Sequence, residues 1–349
     1  MNKYSFRKKL LIWYKKEKRD LPWRKTLDPY SVWLSEVMLQ QTQVKTMLPY
    51  YHRFKKRFPT LEKLAKASID QVLPYWSGLG YYRRIHHFHI AAGDVIKNNK
   101  GIIPKDVVSL KKLHGVGEYM SHAISSIAFG QNNAVVDGNI ERVYARIFSW
   151  EKDPKLNPLK SLLKTQSQAF CDPKNPGDFN QAIMDLGAMV CLPKNPQCSI
   201  CPIQSGCMAF SKGIQNRLPV NERIKPRENQ NGVSILVEQK GKILIQQRIN
   251  VSVMNGLWEI PSISIQNINI SDKKIIKQMI PSGLKLSSTK KWKSFKHSIM
   301  NKNINQIVYF GELQKNKRSS KYFQWINGDQ YRDKALTGLT KKIIKERMK

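Results

Sequence analysis

Leu113-His114-Gly115-Val116-Gly117-Glu118-Tyr119 separates two apolar runs of helical period. Val107, Leu110 and Leu113 precede it, and Ala123, Ile124, Ile127 and Ala128 resume the pattern directly after it. That spacing predicts two helices joined by a tight hairpin. Glycines at 115 and 117 reach backbone angles closed to other residues and put no side chain between their N–H groups and a ligand. Their amides would stand at the start of the second helix, where unpaired donors and the positive end of the helix dipole favour an anion. From these residues alone, binding of a DNA phosphate and an ordinary Gly-rich turn are both open readings.

The chain's 349 residues suffice for two domains with real cores. Lys and Arg number 60 against 25 Asp and Glu, a net charge of +35. Such a field attracts polyanions and speeds their capture. Lys, Asn and Ile are over-used throughout, as a biased genome would produce, so the charge permits a nucleic-acid partner without demanding one. No apolar run approaches the roughly 18 residues of a membrane span, and a soluble protein is expected. Leu10-Leu11-Ile12-Trp13-Tyr14 is too short for a signal peptide and runs straight into Lys15, Lys16 and Glu17. Phe6, Leu10, Trp13 and Tyr14 instead fit one face of a first amphipathic helix.

Asp28 followed by Pro29 is a helix start, with the Asp as cap and the Pro where no N–H is needed. Trp33, Leu34, Val37 and Met38 then form a buried stripe, with Glu36 to one side of it. A glutamate in that position is either a solvated surface group, the commoner case, or a carboxyl held in a cleft. Gly78-Leu79-Gly80-Tyr81-Tyr82-Arg83-Arg84 combines flexible backbone with aromatics and cations, which suits base stacking and phosphate contact and equally suits a helix cap followed by packed tyrosines. His86, His87 and His89 have no Cys or acidic neighbours and read as helix surface. Asp137 precedes the helical pattern Ile140, Val143, Tyr144, Ile147, so it caps that helix. An oxygen left free at such a helix mouth is also placed to face a developing cation, and the residues leave both roles open.

Four of the five cysteines are spaced Cys191-x6-Cys198-x2-Cys201-x5-Cys207 among Pro193, Pro196, Pro202 and Gly206, while Cys171 stands apart. Close spacing without a secretory signal points to a metal rather than disulfides. Four thiolates can hold zinc or an iron–sulfur cluster. The spacing is not that of a paired zinc ribbon, which inclines the reading to iron–sulfur.

Taken together, the hairpin, an Asp twenty residues beyond its second glycine and the four cysteines resemble the endonuclease III superfamily of helix-hairpin-helix DNA glycosylases. Within it the chain is similar to the adenine DNA glycosylase family of the MutY type. Leu21-Pro22-Trp23-Arg24, Ser35-Glu36-Val37-Met38-Leu39-Gln40-Gln41-Thr42, Gly78-Leu79-Gly80-Tyr81-Tyr82 and Val136-Asp137-Gly138-Asn139 match that family's motifs, and the match runs without large gaps over the first 210 or so residues, leaving no room for a cleaved presequence. The fold implied is a mainly α helix-hairpin-helix glycosylase domain with a cluster loop (1–211), a linker (212–230) and a smaller α/β Nudix-like domain (231–349).

The resemblance implies base-excision repair, hydrolysing the N-glycosidic bond of adenine mispaired with 8-oxoguanine or guanine in double-stranded DNA. It implies Glu36 as general acid and Asp137 as the ionised group facing the cationic sugar, with Tyr119 and Asn139 orienting this pair and the water. The Lys that lyases of the superfamily carry after the hairpin is here Tyr119, so no Schiff base and no strand cleavage are expected. The resemblance also implies that Gln41 and Tyr81 fill or wedge the mispair, that Arg19, Leu21, Trp23, Arg24 and Gln181 line the adenine pocket, that Gly115 and Gly117 grip phosphate, and that Cys191, Cys198, Cys201 and Cys207 hold one 4Fe-4S cluster. A monomer in a bacterial-type cytoplasm, associated with the nucleoid and open to other repair proteins, is the setting expected.

Beyond the linker the period becomes two: Val233, Ile235 and Val237, a turn at Gly241, then Ile243 and Ile245 predict a β-hairpin. Gly256-Leu257-Trp258-Glu259-Ile260-Pro261 and the stripe Leu336, Leu339, Ile343, Ile344 fit a Nudix-like fold. A Nudix hydrolase would need clustered glutamates after that turn to hold magnesium, and Asp272-Lys273-Lys274-Ile275-Ile276-Lys277-Gln278-Met279 lacks them, so no nucleotide hydrolysis is expected. The family's Phe-Ser-His loop, which reads 8-oxoguanine, corresponds to Phe295-Lys296-His297; Lys296 could reach a phosphate or the oxidised base, with weaker discrimination expected. His114 stands where the family's hairpin has Pro, which should loosen the turn. Competing readings are an endonuclease III-like pyrimidine-damage glycosylase/lyase, against which Tyr119 and the second domain argue, and a non-catalytic DNA-binding homologue, against which Glu36 and Asp137 argue.

Overall fold

The computed structural model describes residues 2–220, 227–251, 253–265, 285–299, 301–315, 322–327, 331 and 334–349. The chain divides into two compact units, Met1–Lys66 with His87–Ile224, and Ala67–His86 with Lys225–Lys349.

The first unit is helical: α1 (Lys3–Glu17), α2 (Pro29–Leu39), α3 (Val44–Arg57) and α4 (Leu61–Lys66), then most of α6 (Arg83–Asn99), α7 (Val107–Leu110), α8 (Glu118–Ile127), α9 (Gly138–Ile147), α10 (Leu159–Phe170), α11 (Pro176–Met189) and α12 (Met208–Ser211). Phe6, Leu10 and Tyr14 are the buried face of α1, at the predicted spacing. Asp28 caps α2, accepting from the N–H groups of Tyr30 and Ser31. The helix it starts is buried almost throughout, Tyr30 to Met38, so it is not the one-sided stripe the spacing predicted. Helix α11 packs against α1, α8 and α9, while α2 packs against α3 and α8. That arrangement brings α2, α8, α9 and α11 around one centre.

Stabilising the hairpin falls to unequal glycines. Gly115 has φ +75°, and a Cβ there would stand 2.6 Å from His87 Cβ. Gly117 has φ −86° and is the N-cap of α8 with no capping side chain, so only one of the two uses the left-handed region. His114, in the place of the family's Pro, has its Nδ1 3.1 Å from Asp94 Oδ2, a contact between the hairpin and α6. The segment assigned to a linker is structured at both ends. Leu218 is buried with its carbonyl accepting from Arg146 Nε at 3.0 Å, and a strand begins at Glu228.

The second unit holds β1 (Glu228–Gln239), β2 (Lys242–Gln247), β3 (Trp258–Glu259), β4 (Ser262–Ile265), β5 (Lys285–Ile299), β6 (Lys302–Lys315), β7 (Phe323–Asn327) and the C-terminal α13 (Gly338–Arg347), together with α5 (Ile69–Trp76). Lys240 and Gly241 both have positive φ and turn β1 into β2 with Gln239 opposite Lys242, the geometry of a two-residue hairpin. Strand order runs β3-β2-β1-β6-β5, with β1 and β6 parallel. The period-two pattern sorts onto two faces. Val233, Ile235 and Val237 pack with Leu244 and Tyr309, whereas Leu236, Ile243 and Ile245 pack with Trp258, Phe295, Ile343 and Ile344. The stretch Asp272–Met279 lies outside the described residues. No helix among the described residues is long and apolar enough to cross a membrane.

Candidate active site

Glu36 is 4% exposed, near the end of α2, and its Oε2 accepts a hydrogen bond from Tyr119 Oη at 2.8 Å. The same hydroxyl lies 3.5 Å from Met184 Sδ on α11. Burial drives the Glu36 carboxyl up from an ordinary 4.5 to about 7; the Tyr119 hydroxyl and the Arg24 guanidinium resist, and the Asp137 carboxyl pushes the same way as burial. The solvated alternative for Glu36 is thereby removed, because the whole of α2 is covered. Burial, with the Glu36 and Asp137 carboxyls beside it, holds the Tyr119 hydroxyl well above the usual phenol range, so it stays a donor.

Asp137 takes the capping role of the two that the sequence left open for it. Its Oδ1 accepts from Ile140 N–H at 2.8 Å, capping α9, and its Oδ2 accepts from Asn139 Nδ2 at 3.1 Å. Burial raises its carboxyl, and the N–H donors of Ile140 and Asn139 oppose that by favouring the charged form. Asn139 is itself held by Arg142, whose Nη2 donates to Asn139 Oδ1 at 2.9 Å and to the Gly187 carbonyl at 2.7 Å, while its Nε donates to the Cys191 carbonyl at 2.8 Å. Close approach of α11 to α9 makes this possible: a Cβ on Gly187 would stand 2.7 Å from Asn139 Cβ.

Arg19 and Arg24 converge on Asp185, a side chain with no exposed surface. Arg24 forms a two-point contact, Nη1 to Oδ2 at 2.7 Å and Nη2 to Oδ1 at 3.0 Å, and Arg19 Nε reaches Oδ1 at 2.8 Å. Both guanidiniums hold the Asp185 carboxyl below its ordinary range despite burial. Leu21 and Trp23 are buried, Trp23 against Tyr51 with ring centroids 5.1 Å apart, and Gln181 is buried on α11 one helical turn before Asp185. Asp185, Arg142 and Met184 were missed in the sequence. An acid inside the apolar run Ala182, Ile183, Met184, Leu186 was the available signal for the first of them.

Tyr119 also borders a cleft of about 1040 Å³, lined among others by Glu118, His122, Glu141, Lys155, Lys160 and Lys164. Lys164 Nζ bridges both oxygens of Glu118, at 2.8 and 2.7 Å, at the first residue of α8. The exposed Gly115 and Gly117 lie on the hairpin just before it.

Cys191, Cys198, Cys201 and Cys207 line a single hollow together with Arg146, Leu186, Ile203 and Phe210. Arg146, 1% exposed, donates to Cys191 Sγ at 3.2 Å and to the carbonyls of Leu192 and Pro193. No three His, Cys, Asp or Glu side chains among the described residues converge as one metal ion would require. Zinc holds four thiolates at about 2.3 Å from one point. Four thiols lining one hollow are a donor set that suits zinc or an iron–sulfur cluster. Cys171 is buried apart from them, its thiol pushed up to about 12 by burial.

Gln41 and Tyr81 share an unusual feature, since both have left-handed backbone, φ 56° and 47°, and both are exposed. Tyr82 packs instead, its hydroxyl accepting from Gly78 N–H, whereas the exposed Tyr81 ring carries the Arg84 guanidinium over it at 5.4 Å. In the second unit, Phe295-Lys296-His297 is not a loop. It lies within β5, with Phe295 4% exposed in the core and Lys296 on the open face, because side chains alternate along a strand. Phe295 is therefore withdrawn as a DNA contact.

Residues 34–167 match the HhH-GPD superfamily base excision DNA repair protein family, and residues 232–346 match the NUDIX domain family. The chain is 38% identical over 314 residues to the adenine DNA glycosylase of Rattus norvegicus, covering 75% of this chain and 61% of the relative. It is 34% identical over 275 residues to that of Buchnera aphidicola subsp. Baizongia pistaciae (strain Bp), covering 76% of each. Against the mammalian relatives the matched region spans about three fifths of their length. The structure of a thermostable thymine-DNA glycosylase superposes on 60% of this chain and 97% of its own, with a TM-score of 0.55 at 28% identity. A helix-hairpin-helix glycosylase fold followed by a Nudix-like α/β domain describes the architecture.

Proposed function

The chain belongs to the adenine DNA glycosylase family, and from the geometry of its buried carboxyls we propose that it hydrolyses the N-glycosidic bond of adenine in double-stranded DNA. The observation that carries this is Glu36, protonated up to about pH 7 and hydrogen-bonded by Tyr119, with the Asp137 charge beside it. Adenine is a poor leaving group as an anion, so a proton must reach one of its ring nitrogens as the bond to the sugar breaks. Glu36 supplies that proton. The sugar C1′ becomes oxocarbenium-like, and Asp137, ionised and facing it, lowers the cost of that charge. Water then adds to C1′ and its proton returns to the Glu36 carboxylate, leaving free adenine and an abasic site. Asn139 and Tyr119 orient the two carboxyls. Tyr119 has no amine to attack the sugar, which favours simple hydrolysis over strand cleavage.

The adenine must leave the helix to meet these groups. We assign Arg19, Leu21, Trp23, Arg24 and Gln181 to the pocket that receives it, with Asp185 holding both arginines. Gln41 and Tyr81, exposed in left-handed backbone, act at the vacated stack, and the amides of Gly115 and Gly117 take a phosphate. Guanine and 8-oxoguanine are the partners of the adenine that this reading favours, in a protein working as a monomer on nucleoid DNA. Cys191, Cys198, Cys201 and Cys207 would hold a 4Fe-4S cluster, which when bound cross-links the 191–207 loop; Arg146 and Arg142 brace that loop whether or not it is filled.

Duplexes carrying adenine opposite 8-oxoguanine, guanine or thymine test the proposal. Adenine release from the first two, absent with Glu36→Gln, is the expected result. Undiminished release by that variant would remove Glu36 from its role, and a borohydride-trapped protein–DNA adduct would favour the lyase reading instead.

A further inference from the structure

Residues 212–218, the start of the segment assigned to a linker, fold back onto the cysteine hollow. Gly213, with φ +69°, follows the C-cap of α12 and reverses the chain there. Ile214 N–H donates to the Ala209 carbonyl at 2.9 Å and Arg217 N–H to the Ile214 carbonyl at 2.9 Å, so a further turn follows at once. Arg146 fastens that turn to the cysteine loop: its Nε donates to the Leu218 carbonyl at 3.0 Å, while its Nη1 donates to Cys191 Sγ at 3.2 Å. Gln215, on the turn, thereby joins the wall of the hollow that Cys191, Cys198, Cys201 and Cys207 line. Its Oε1 is shut off from solvent and has no hydrogen-bond partner among the described residues. The other buried side-chain atoms in that condition, on Arg24, Tyr144, Ser149 and Ser167, belong to residues outside the wall of the hollow.

Buried polar atoms nearly always find a partner, so an orphaned amide in the wall of a cofactor site points to the cofactor. A thiolate or sulfide accepts hydrogen bonds and repels a carbonyl oxygen. Half a turn about the last torsion of glutamine exchanges Oε1 for Nε2, which carries two N–H donors. Resting on the proposal that these thiolates hold an iron–sulfur cluster, we propose that Gln215 is a hydrogen-bond donor to it, through Nε2 to a cluster sulfur. Gln215 is a positioning residue and not a fifth ligand. Hydrogen bonds to sulfur draw charge away from a cluster and stabilise its more negative, reduced form, which raises its potential and tightens its retention. The residues just beyond α12 therefore belong to the cofactor site and not to a linker.

Two substitutions test this in the full chain purified anaerobically. Gln215→Met keeps the length of the side chain and removes the N–H, and Gln215→Glu keeps its shape while putting a second oxygen in the nitrogen's place. Voltammetry of the cluster and iron release to a chelator are compared across the three proteins. The potential should become more negative from native to Gln215→Met and again to Gln215→Glu, and both variants should lose iron about tenfold faster, the usual size of a lost contact behind the ligands. A Gln215→Met protein with the native potential and native iron retention would overturn the inference. Faster iron loss at an unchanged potential would overturn it too, since packing alone would then account for the effect. Iron and sulfide analysis of the native protein separates this from the reading beneath it: a native chain without either sinks the cluster and the inference together, whereas a loaded native chain with indifferent variants sinks the inference alone.

Discussion

Tyr119 Oη donates to Glu36 Oε2 across 2.8 Å, joining the first turn of α8 to the last turns of α2. That bond favours the ionised carboxylate, against the burial that favours the neutral acid. Tyr119→Phe should therefore raise the Glu36 pKa above about 7. If Glu36 acts as acid, single-turnover base release in the native protein declines as pH rises through about 7, and the decline moves to higher pH in the variant. A pH profile that stays where it was would mean that Glu36 does not govern the alkaline limb.

Glu36 also links stability to pH. Its folded pKa is raised, so the native state binds the proton more tightly than the unfolded chain does. Stability is undiminished below the ordinary value of 4.5, is lost as pH rises toward about 7, and stays reduced above that. Glu36→Gln removes an ionisation that costs on the order of 3 kcal/mol at alkaline pH, and should raise the melting temperature there but not at pH 4. Thermal melts of both proteins across pH 4–9 check this, and a uniform shift at every pH would contradict it.

Asp185, itself without exposed surface, is the counter-ion of two guanidiniums. Asp185→Ala should destabilise the first unit by about 3–5 kcal/mol, because the nearly buried Arg24 would be left without its partner. Asp185→Leu combined with Arg24→Met should recover much of that loss. Denaturant unfolding of Asp185→Ala, of Asp185→Leu and Arg24→Met singly, and of the double variant measures it. A pairwise coupling near zero would show that the triad is not one electrostatic unit.

Gly187→Ala places a methyl where Asn139 Cβ already stands. Either α11 or α9 must shift, at a cost of about 1–3 kcal/mol. Because Asn139 holds Asp137, base release should fall at least tenfold while DNA binding through the hairpin persists. Native-like rates in this variant would mean that the Asn139–Asp137 contact does not position the carboxylate.

The four-thiol hollow predicts a coloured protein. Purified anaerobically, it should carry iron and sulfide with broad visible absorption, and Cys198→Ser should lose both along with several degrees of melting temperature. A colourless protein containing one zinc ion would contradict the cluster.

Much of this was legible along the chain. A helix start at Asp28-Pro29, the two-glycine hairpin, a cap at Asp137 and the turn at Gly241 are local events, written in backbone preferences that hold within four or five residues. The Phe295-Lys296-His297 triplet was misread for the opposite reason. Its pattern fits a contact loop, yet strand alternation inside a paired hairpin sends Phe295 into the core and leaves Lys296 exposed.

Local order thus came from the sequence by itself: which segments are helices or strands, where they stop, and which residue types carry acid, cap and thiol chemistry. Only the tertiary structure decided that Glu36 is wholly covered, that Asp185 binds Arg19 and Arg24 from more than 160 residues away, and that Arg142 joins Asn139 to the cysteine loop. Burial and long-range charge pairing depend on which surfaces meet, and no periodicity along a chain encodes the identity of a partner so far from it.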